Sequence, residues 1–424
     1  MALVGCRGVL VVSPPPAHRA TTAHLQALYP FVAEGGLGER GVYIGRDLFG
    51  GAFVYDAWEL YAAGVLTNPN MVVLGQIGRG KSSFVKSLVW RQQVFGRQAW
   101  VVDPKGEYGP LAAASGATSL RIIPGGSVRL NPLQTPGGGV GDGDCRRRQA
   151  ELLCSLAAGS LGRPLSPHER TAAELAMGSV ADRSGEPTLP AVVDALLVPE
   201  PGAARSVHTD VASLAADGRE VALELRRLVR GDLAGMFDGP TTPGIDLTSH
   251  LVVIDLSALY ASPALGLLMT CATAWLQATL QHDDGIRRLV VVDEAWAILS
   301  NLAIARWLQA GFKLARAFGA ANVAVVHRLS DLRAAGAEGS EQQRLAEGLL
   351  ADSETRVIFG QPPSEVESAT DLIGLTSTEA DLLPRLPRGV ALWKVGARSF
   401  LVEHRLGRQE SQLVDTDVRM TSFA

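Results

Sequence analysis

The sequence predicts an α/β fold built on a mostly parallel sheet, and three features carry that prediction. The apolar run "MVVL" at Met71 to Leu74 leads directly into "GQIGRGKSSF", which holds the spacing G-x-x-x-x-G-K-S and continues as "VKSLVWRQQVF" with apolar residues at helical spacing. Continuous apolar runs without period-two alternation then recur in "QAWVVDPKGEYG", "HLVVIDLS", "RRLVVVDEAW", "ANVAVVHRLSD", "ETRVIFGQ" and "GVALWKV". Strands covered on both faces of a parallel sheet read this way. Helical segments separate the earlier runs, as crossovers between parallel strands require.

At 424 residues, with 47% hydrophobic and 19% charged residues, the chain is long enough for one large domain with an insertion or for two or three domains. A formal net charge of −4, with 39 Lys and Arg against 43 Asp and Glu, gives no global electrostatic reason for nucleic-acid binding, so any basic surface must be local. Cys6, Cys145, Cys154 and Cys271 show neither C-x-x-C spacing nor histidine companions, so neither a zinc site nor a disulfide framework is indicated. A reducing cytosol is the simplest setting. The apolar stretch after His250 is broken by Asp255, Ser257 and Pro263, and the opening residues lack a signal-peptide layout. A cytoplasmic protein is expected, and one docked peripherally at the inner face of a membrane has the same signature.

Residues 1–65 read as a small β-containing segment, because "GVYIGRDLFGGAFVYDAW" alternates short β-rich runs with glycine in the manner of a hairpin. Residues 66–140 and 245–405 form the discontinuous α/β core. The glycine-rich break "TPGGGVGDGD" opens a change of texture, and 141–244 reads as an all-helical insertion, rich in Ala, Leu and Arg. In it, "SPHE" at Ser166 to Glu169 is a capping box with proline in the first helical position, and another helix start is expected before "EVALELRRLVRGDLAGMF". Residues 406–424 are a tail.

Glycines let the backbone N–H groups of a G-x-x-x-x-G-K-S loop turn inward around phosphate oxygens, while the following helix presents its positive end to them. Gly75, Gln76, Ile77, Gly78, Arg79 and Gly80 form that loop, with Lys81, Ser82 and Ser83 opening the helix. Lys81 is placed to reach the β- and γ-phosphates and the Ser82 hydroxyl to ligate Mg²⁺. A chance glycine-rich turn is the competing reading, and the strand before and the helix after weigh against it.

"LVVVDEAW" delivers Asp293 to the carboxyl edge of the sheet, where its carboxylate can hold Mg²⁺. Glu294 follows immediately and suits the orientation and deprotonation of an attacking water, which a hydrolase needs and a kinase does not. Asp255 ends "LVVID" in the same way but lacks the trailing Glu, so Asp293 is preferred and Asp255 is read as a structural or supporting neighbour. The turn "DPKGEYG" carries Asp103, Lys105 and Glu107; on spacing alone, Glu107 is equally a site-edge acid and a solvated turn residue.

Arg306, Lys313 and Arg316 lie between the second motif and the next strand. Cations reaching a nucleotide from a neighbouring subunit neutralise transition-state charge, although basic residues on helices are more often solvated. His327 and Arg328 end the next strand, either as γ-phosphate sensors or as a polar strand end. The clusters Arg146, Arg147, Arg148 and Arg226, Arg227, Arg230 lack interleaved aromatics and read as solvated helix faces or subunit contacts.

The order of these motifs is itself informative. "NPNMVVLGQIGRGKSSF", "VVDPKGEYGPLA", "LNPL", "GMFDGP" before "HLVVIDLSAL", "VVVDEAW" and "KLARAFG" together resemble the conjugative-transfer and type IV secretion ATPases of the TraC-like group, within the HerA/FtsK superfamily of P-loop motors. The compact form is similar to ATP-binding proteins of actinobacterial mobile elements. The resemblance implies a RecA-like P-loop core, an inserted helical domain and a homohexameric ring at the cytoplasmic side of a DNA-transfer or secretion channel. DNA and membrane-associated channel proteins are its implied partners, and ATP with Mg²⁺ its cofactors. Matched position by position, it implies that Lys81 and Ser82 bind nucleotide and Mg²⁺, that Asp293 is the metal-associated acid and Glu294 the catalytic base, that Glu107 is an acid near the site, and that Arg316 reaches the adjacent protomer. The chain departs from the pattern in two places. His327 stands where a Gln-containing sensor is usual, and only a short segment precedes the loop where secretion ATPases carry a large amino-terminal domain.

The expected function is therefore an ATP-hydrolysing oligomeric motor for transfer of DNA or protein. A HerA-like DNA translocase and a slow ATP-binding scaffold or switch are the alternatives.

Overall fold

The strands, in chain order, are β1 (Val42–Asp47), β2 (Ala52–Tyr55), β3 (Met71–Leu74), β4 (Gln98–Asp103), β5 (Ser119–Arg121), β6 (Leu251–Asp255), β7 (Arg288–Val292), β8 (Ala320–Val326), β9 (Thr355–Phe359), β10 (Val390–Val395) and β11 (Arg398–His404). The computed structural model describes residues 36–414, apart from 118, 135–142, 185, 232, 246–248, 263, 281–284 and most of 296–318 and 328–349. The described residues divide into two units, one drawn from Met1–Arg91, Val326–Ser330 and Ser353–Ala424, the other from Gln92–Val325 and Asp331–Asp352.

In the first unit the strand order is β2-β1-β11-β10-β9-β3. The glycine-punctuated run near the amino terminus forms the antiparallel β1–β2 hairpin, and α1 (Ala57–Ala62) follows, its amino end capped by the Asp56 carboxylate, which accepts from the N–H groups of Trp58 and Glu59. β3 pairs in parallel with β9. β10, by contrast, is antiparallel to both β9 and β11. Its run "GVALWKV" resembles a parallel strand because both of its faces are almost entirely buried. Direction is set instead by the two-residue turn after Val395, where Gly396 adopts φ 56° and lets the chain double back as a hairpin.

An aromatic core fastens α2 (Lys81–Gln92) to this sheet. Phe84 of α2 stands 5.2 Å from Trp393 and 6.1 Å from Phe359, ring centre to ring centre, and Trp393 also meets Phe53 at 5.1 Å. All four rings are buried. Burial of such rings dominates core energetics, so the helix that follows the glycine-rich loop is seated by the sheet rather than by its own propensity.

The second unit holds five parallel strands in the order β8-β7-β4-β6-β5. β4, β7 and β8 are buried at every position, as their unbroken apolar runs predict. After α3 (Gly109–Ala114), the segments "LNPL" and "GMFDGP" lie side by side: Leu130 N–H donates to Met236 O at 2.9 Å, and Arg129 Nε to Asp238 Oδ1 at 3.0 Å.

Between those segments the chain is helical: α4 (Gly143–Leu161), α5 (Pro167–Ser184), α6 (Leu189–Leu197), α7 (Pro201–Ser206) and α8 (Val211–Arg230). The capping box at the start of α5 is formed reciprocally, Glu169 N–H to Ser166 Oγ at 3.2 Å and Ser166 N–H to Glu169 Oε2 at 2.7 Å. α8 begins earlier than its apolar run suggests, because Asp210 caps it by accepting from Ser213 N–H at 2.8 Å. Its buried face, Leu214, Gly218, Val221, Leu225 and Leu228, follows the helical period. After β6 comes α9 (Leu265–Leu280). Among the described residues no helix is long and apolar enough to cross a membrane.

Candidate functional site

In the first unit the glycine-rich loop links the carboxyl end of β3 to α2. Gly75, Gly78 and Gly80 all take positive φ, at 153°, 79° and 107°. A Cβ on Gly75 would stand 2.6 Å from the Cβ of Phe359, so the loop runs against β9 with no room for a side chain. Gln76 N–H donates to Gly360 O at 3.2 Å, and Arg79 O accepts from Gly389 N–H at 3.0 Å. Two neighbouring segments thus hold the loop open from outside. Ile77 is exposed at the tip, while Ser82 and Ser83 are half-buried in the first turn of α2, which carries no acidic residue to compete for its N–H groups.

Lys81 is buried, and its ammonium donates to the carbonyls of Gly75 and of Gln76, the latter at 3.1 Å. The cation is therefore folded over its own loop. These features fit a triphosphate: the Cβ-free curve, the helix start and a cation on a flexible stem are what phosphate oxygens need. His327, directly after β8, groups with the loop in this unit and is half-buried.

In the second unit three parallel strands deliver acids to one sheet edge. Asp103 and Asp255 are register partners at the ends of β4 and β6, and Asp293 follows β7, its N–H donating to Val102 O at 3.3 Å. The three differ in role. Asp103 is fully buried and organises the following turn, its Oδ1 accepting from the N–H groups of Lys105 at 3.1 Å and Gly106 at 2.9 Å, and its Oδ2 from that of Tyr108 at 2.9 Å. Burial nevertheless holds its carboxyl above the usual range, against the pull of those backbone donors. Asp255 accepts from Ser257 N–H at 2.8 Å where the chain leaves β6, a structural task.

Asp293 is buried, and its proton affinity is pushed up to about 7, first by burial and then by the neighbouring charge of Glu294. A divalent cation is the natural counter-charge for such a group, and its oxygen donor type suits Mg²⁺. Glu294 takes φ 53°, an uncommon conformation for a residue with a side chain. Backbone bonds on either side hold it there: Glu294 N–H donates to Asp293 Oδ1 at 3.0 Å, and Ala295 N–H to Val325 O at 3.0 Å.

The Glu294 side chain is wholly buried and ion-paired with the ammonium of Lys105. Nothing in the sequence singles out Lys105 for this task. The two residues are remote along the chain, and the adjacency of β4 and β7 brings them together. Glu107, on the same turn, is half-buried.

The structure thus gathers Gly75 to Ser83 and His327 in one unit and Asp293, Glu294 and Glu107 in the other. Arg306, Lys313, Arg316 and Arg328 lie outside the described residues. Of the insertion arginines, Arg146 of α4 pairs with Asp182 of α5 at 2.8 Å and Arg230 of α8 with Asp194 of α6 at 3.8 Å, contacts made between helices of the insertion.

No protein-family profile matches the chain, and comparison with curated proteins returns no match. Solved structures do resemble it. VirB4 of Thermoanaerobacter pseudethanolicus superposes with a TM-score of 0.72 at 23% identity, over 89% of this chain and 100% of that one. The plasmid coupling protein TrwB in complex with ADP and Mg²⁺ gives 0.57 at 15% identity, over 88% and 91%. TrwB with the non-hydrolysable ATP analogue ADPNP gives 0.55 at 16% identity, over 80% and 86%. The chain has the α/β P-loop fold of these proteins, with a mixed, mostly parallel arrangement of strands and flanking helices.

Proposed function

We propose that this chain is a Mg²⁺-dependent ATPase that works as a homo-oligomeric motor, energising transfer of DNA or protein in conjugation or type IV secretion. The observation that carries the reading is the pair Asp293–Glu294 at the end of a fully buried parallel strand, in a chain that also presents a glycine-rich phosphate loop. Similarity of fold to VirB4 and to the TrwB coupling protein, the latter solved with ADP and Mg²⁺, supports the choice of nucleotide and of process.

In this reading Gly75 to Gly80 cradle the phosphates through backbone N–H groups, and Lys81 exchanges its loop carbonyls for phosphate oxygens. Ser82 of the phosphate loop is the hydroxyl that would serve Mg²⁺, and Asp293 the metal-associated acid. Mg²⁺ held there would supply charge neutralisation for the transferred phosphoryl group. Glu294 accepts the proton of the attacking water with Glu107 an acid on the neighbouring turn, His327 is a polar neighbour on the unit of the phosphate loop, and Arg316 serves the adjacent protomer. The motor acts in the cytoplasm, docked at the inner face of the membrane by channel proteins.

The test is hydrolysis by the full chain with and without DNA, alongside light scattering for assembly. Lys81→Ala abolishes both nucleotide binding and turnover, whereas Glu294→Gln abolishes turnover and leaves binding intact, an expected loss of about 10² to 10⁴ in kcat. Unchanged hydrolysis in Glu294→Gln removes the base assignment. A persistent monomer without hydrolysis removes the motor.

A further inference from the structure

We propose that Lys105 is a positioning residue for the general base, holding the Glu294 carboxylate in place and balancing its charge; the inference rests on the reading of Glu294 as that base. The two partners are anchored independently. Lys105 sits on a turn whose backbone is tied to the buried Asp103 carboxylate through the N–H groups of Lys105, Gly106 and Tyr108. Glu294 is fixed in its left-handed backbone conformation by bonds from its own N–H to Asp293 and from Ala295 N–H to Val325 O. β4 and β7 are hydrogen-bonded neighbours, with Val102 opposite Val292, so the ion pair closes across adjacent strand ends.

Burial makes the pair consequential. The Glu294 side chain is 0% exposed and that of Lys105 only 23%, and a carboxylate withdrawn from water to this degree is strongly destabilised without a counter-ion. An ammonium on a short, pinned turn also limits where the carboxylate can sit, which is what transfer of a proton from a water requires. Lys105 itself touches no phosphate or reacting atom in this assignment. It acts through Glu294.

Steady-state kinetics of Lys105→Met and Lys105→Arg in the full chain test the role. Lys105→Met lowers kcat by about tenfold or more while the KM for MgATP stays within about twofold, and Lys105→Arg, which keeps the charge, recovers most of the loss. Wild-type kcat in Lys105→Met overturns the proposal, as does an equal loss in Lys105→Arg. A second readout needs no turnover. Lys105 is one of five lysines in the chain, so its reaction with an N-hydroxysuccinimide ester is readily followed by peptide mass spectrometry. In the nucleotide-free wild type Lys105 reacts several-fold more slowly than in Glu294→Gln, and equal rates overturn the pair. A wild-type chain that hydrolyses no ATP overturns the ATPase reading and the base assignment together, whereas hydrolysis that ignores Lys105→Met overturns the role of Lys105 alone.

Discussion

Gly75 and Phe359 approach so closely that a single added carbon on the glycine would stand 2.6 Å from the Cβ of Phe359. The phosphate loop therefore takes its curvature from β9 as well as from its own glycines. Gly75→Ala must displace either the loop or the strand, an overpacking cost of about 1–3 kcal/mol on top of the unfavourable φ. Gly78→Ala shares a positive φ but faces open space, so its cost is backbone strain of about 1 kcal/mol. ATP binding measured by titration, with melting temperature alongside, is expected to fail in Gly75→Ala and to weaken modestly in Gly78→Ala. Equal affinities in the two variants would show that β9 does not shape the loop.

Asp293 offers a test of metal dependence. Asn keeps the shape of the side chain but removes the anionic oxygen, and it also relieves the repulsion from Glu294 that helps raise the carboxyl's proton affinity. Asp293→Asn is expected to fold normally and to bind ATP in EDTA as the wild type does. Its affinity gain on adding Mg²⁺ should disappear, because the variant lacks the anionic oxygen assigned to the ion. A wild-type Mg²⁺ response in the variant would reassign the metal ligand.

Much of this was legible from the residues alone. "MVVL", "QAWVVD" and "LVVVD" are buried strands because their centres are unbroken apolar runs, and the acids that end the last two lie at one edge of a parallel sheet. The capping box at Ser166 was equally plain, since its chemistry is local. What was not legible depends on neighbours distant in sequence. The antiparallel course of β10 is set by the turn at Gly396 and the pairing with β11, and a strand buried on both faces carries no mark of direction. The partnership of Lys105 with Glu294 follows from strand order, and a lysine on a polar turn looks solvated until β7 is laid beside β4.

The α5 capping box predicts an acid transition in the helical segment. Glu169 accepts from the Arg163 guanidinium at 2.7 and 2.8 Å and from Ser166 N–H, and the guanidinium, more than any other influence, pulls its carboxyl down to about 2. A depressed carboxyl stabilises the folded state above its unfolded value near 4.5, and that contribution is lost as pH falls toward 2. Glu169→Gln should therefore unfold at lower denaturant than the wild type at pH 6 and converge with it at pH 2. Ser166→Ala, which removes the other half of the box, is expected to cost about 1 kcal/mol at either pH. Unfolding followed by circular dichroism reads both effects, and a pH-independent gap for Glu169→Gln would discard the ion-pair account.

His404 sets an earlier acid limb. Its Nε2 lies 2.7 Å from Ser87 Oγ, its ring meets Phe84 edge to face at 5.6 Å, and burial, followed by the nearby charge of Arg91, lowers its pKa to about 3. The unfolded chain takes up a proton near pH 6.5 that the folded chain refuses. Stability is thus undiminished above pH 6.5 and falls as pH drops from 6.5 toward 3, by up to about 1.4 kcal/mol per pH unit from this group. Asp293, pushed up to about 7, takes up its proton in the same range with the opposite effect on stability, so the histidine is read from the difference between the wild type and a variant that lacks it. His404→Gln removes the titration and retains a hydrogen-bonding partner for Ser87. Denaturant unfolding at half-unit steps from pH 7 to 5 should show the stability of the wild type falling relative to that of the variant as pH drops. Parallel curves would mean that His404 accepts its proton in the folded chain and that the Ser87 contact does not depend on the neutral ring.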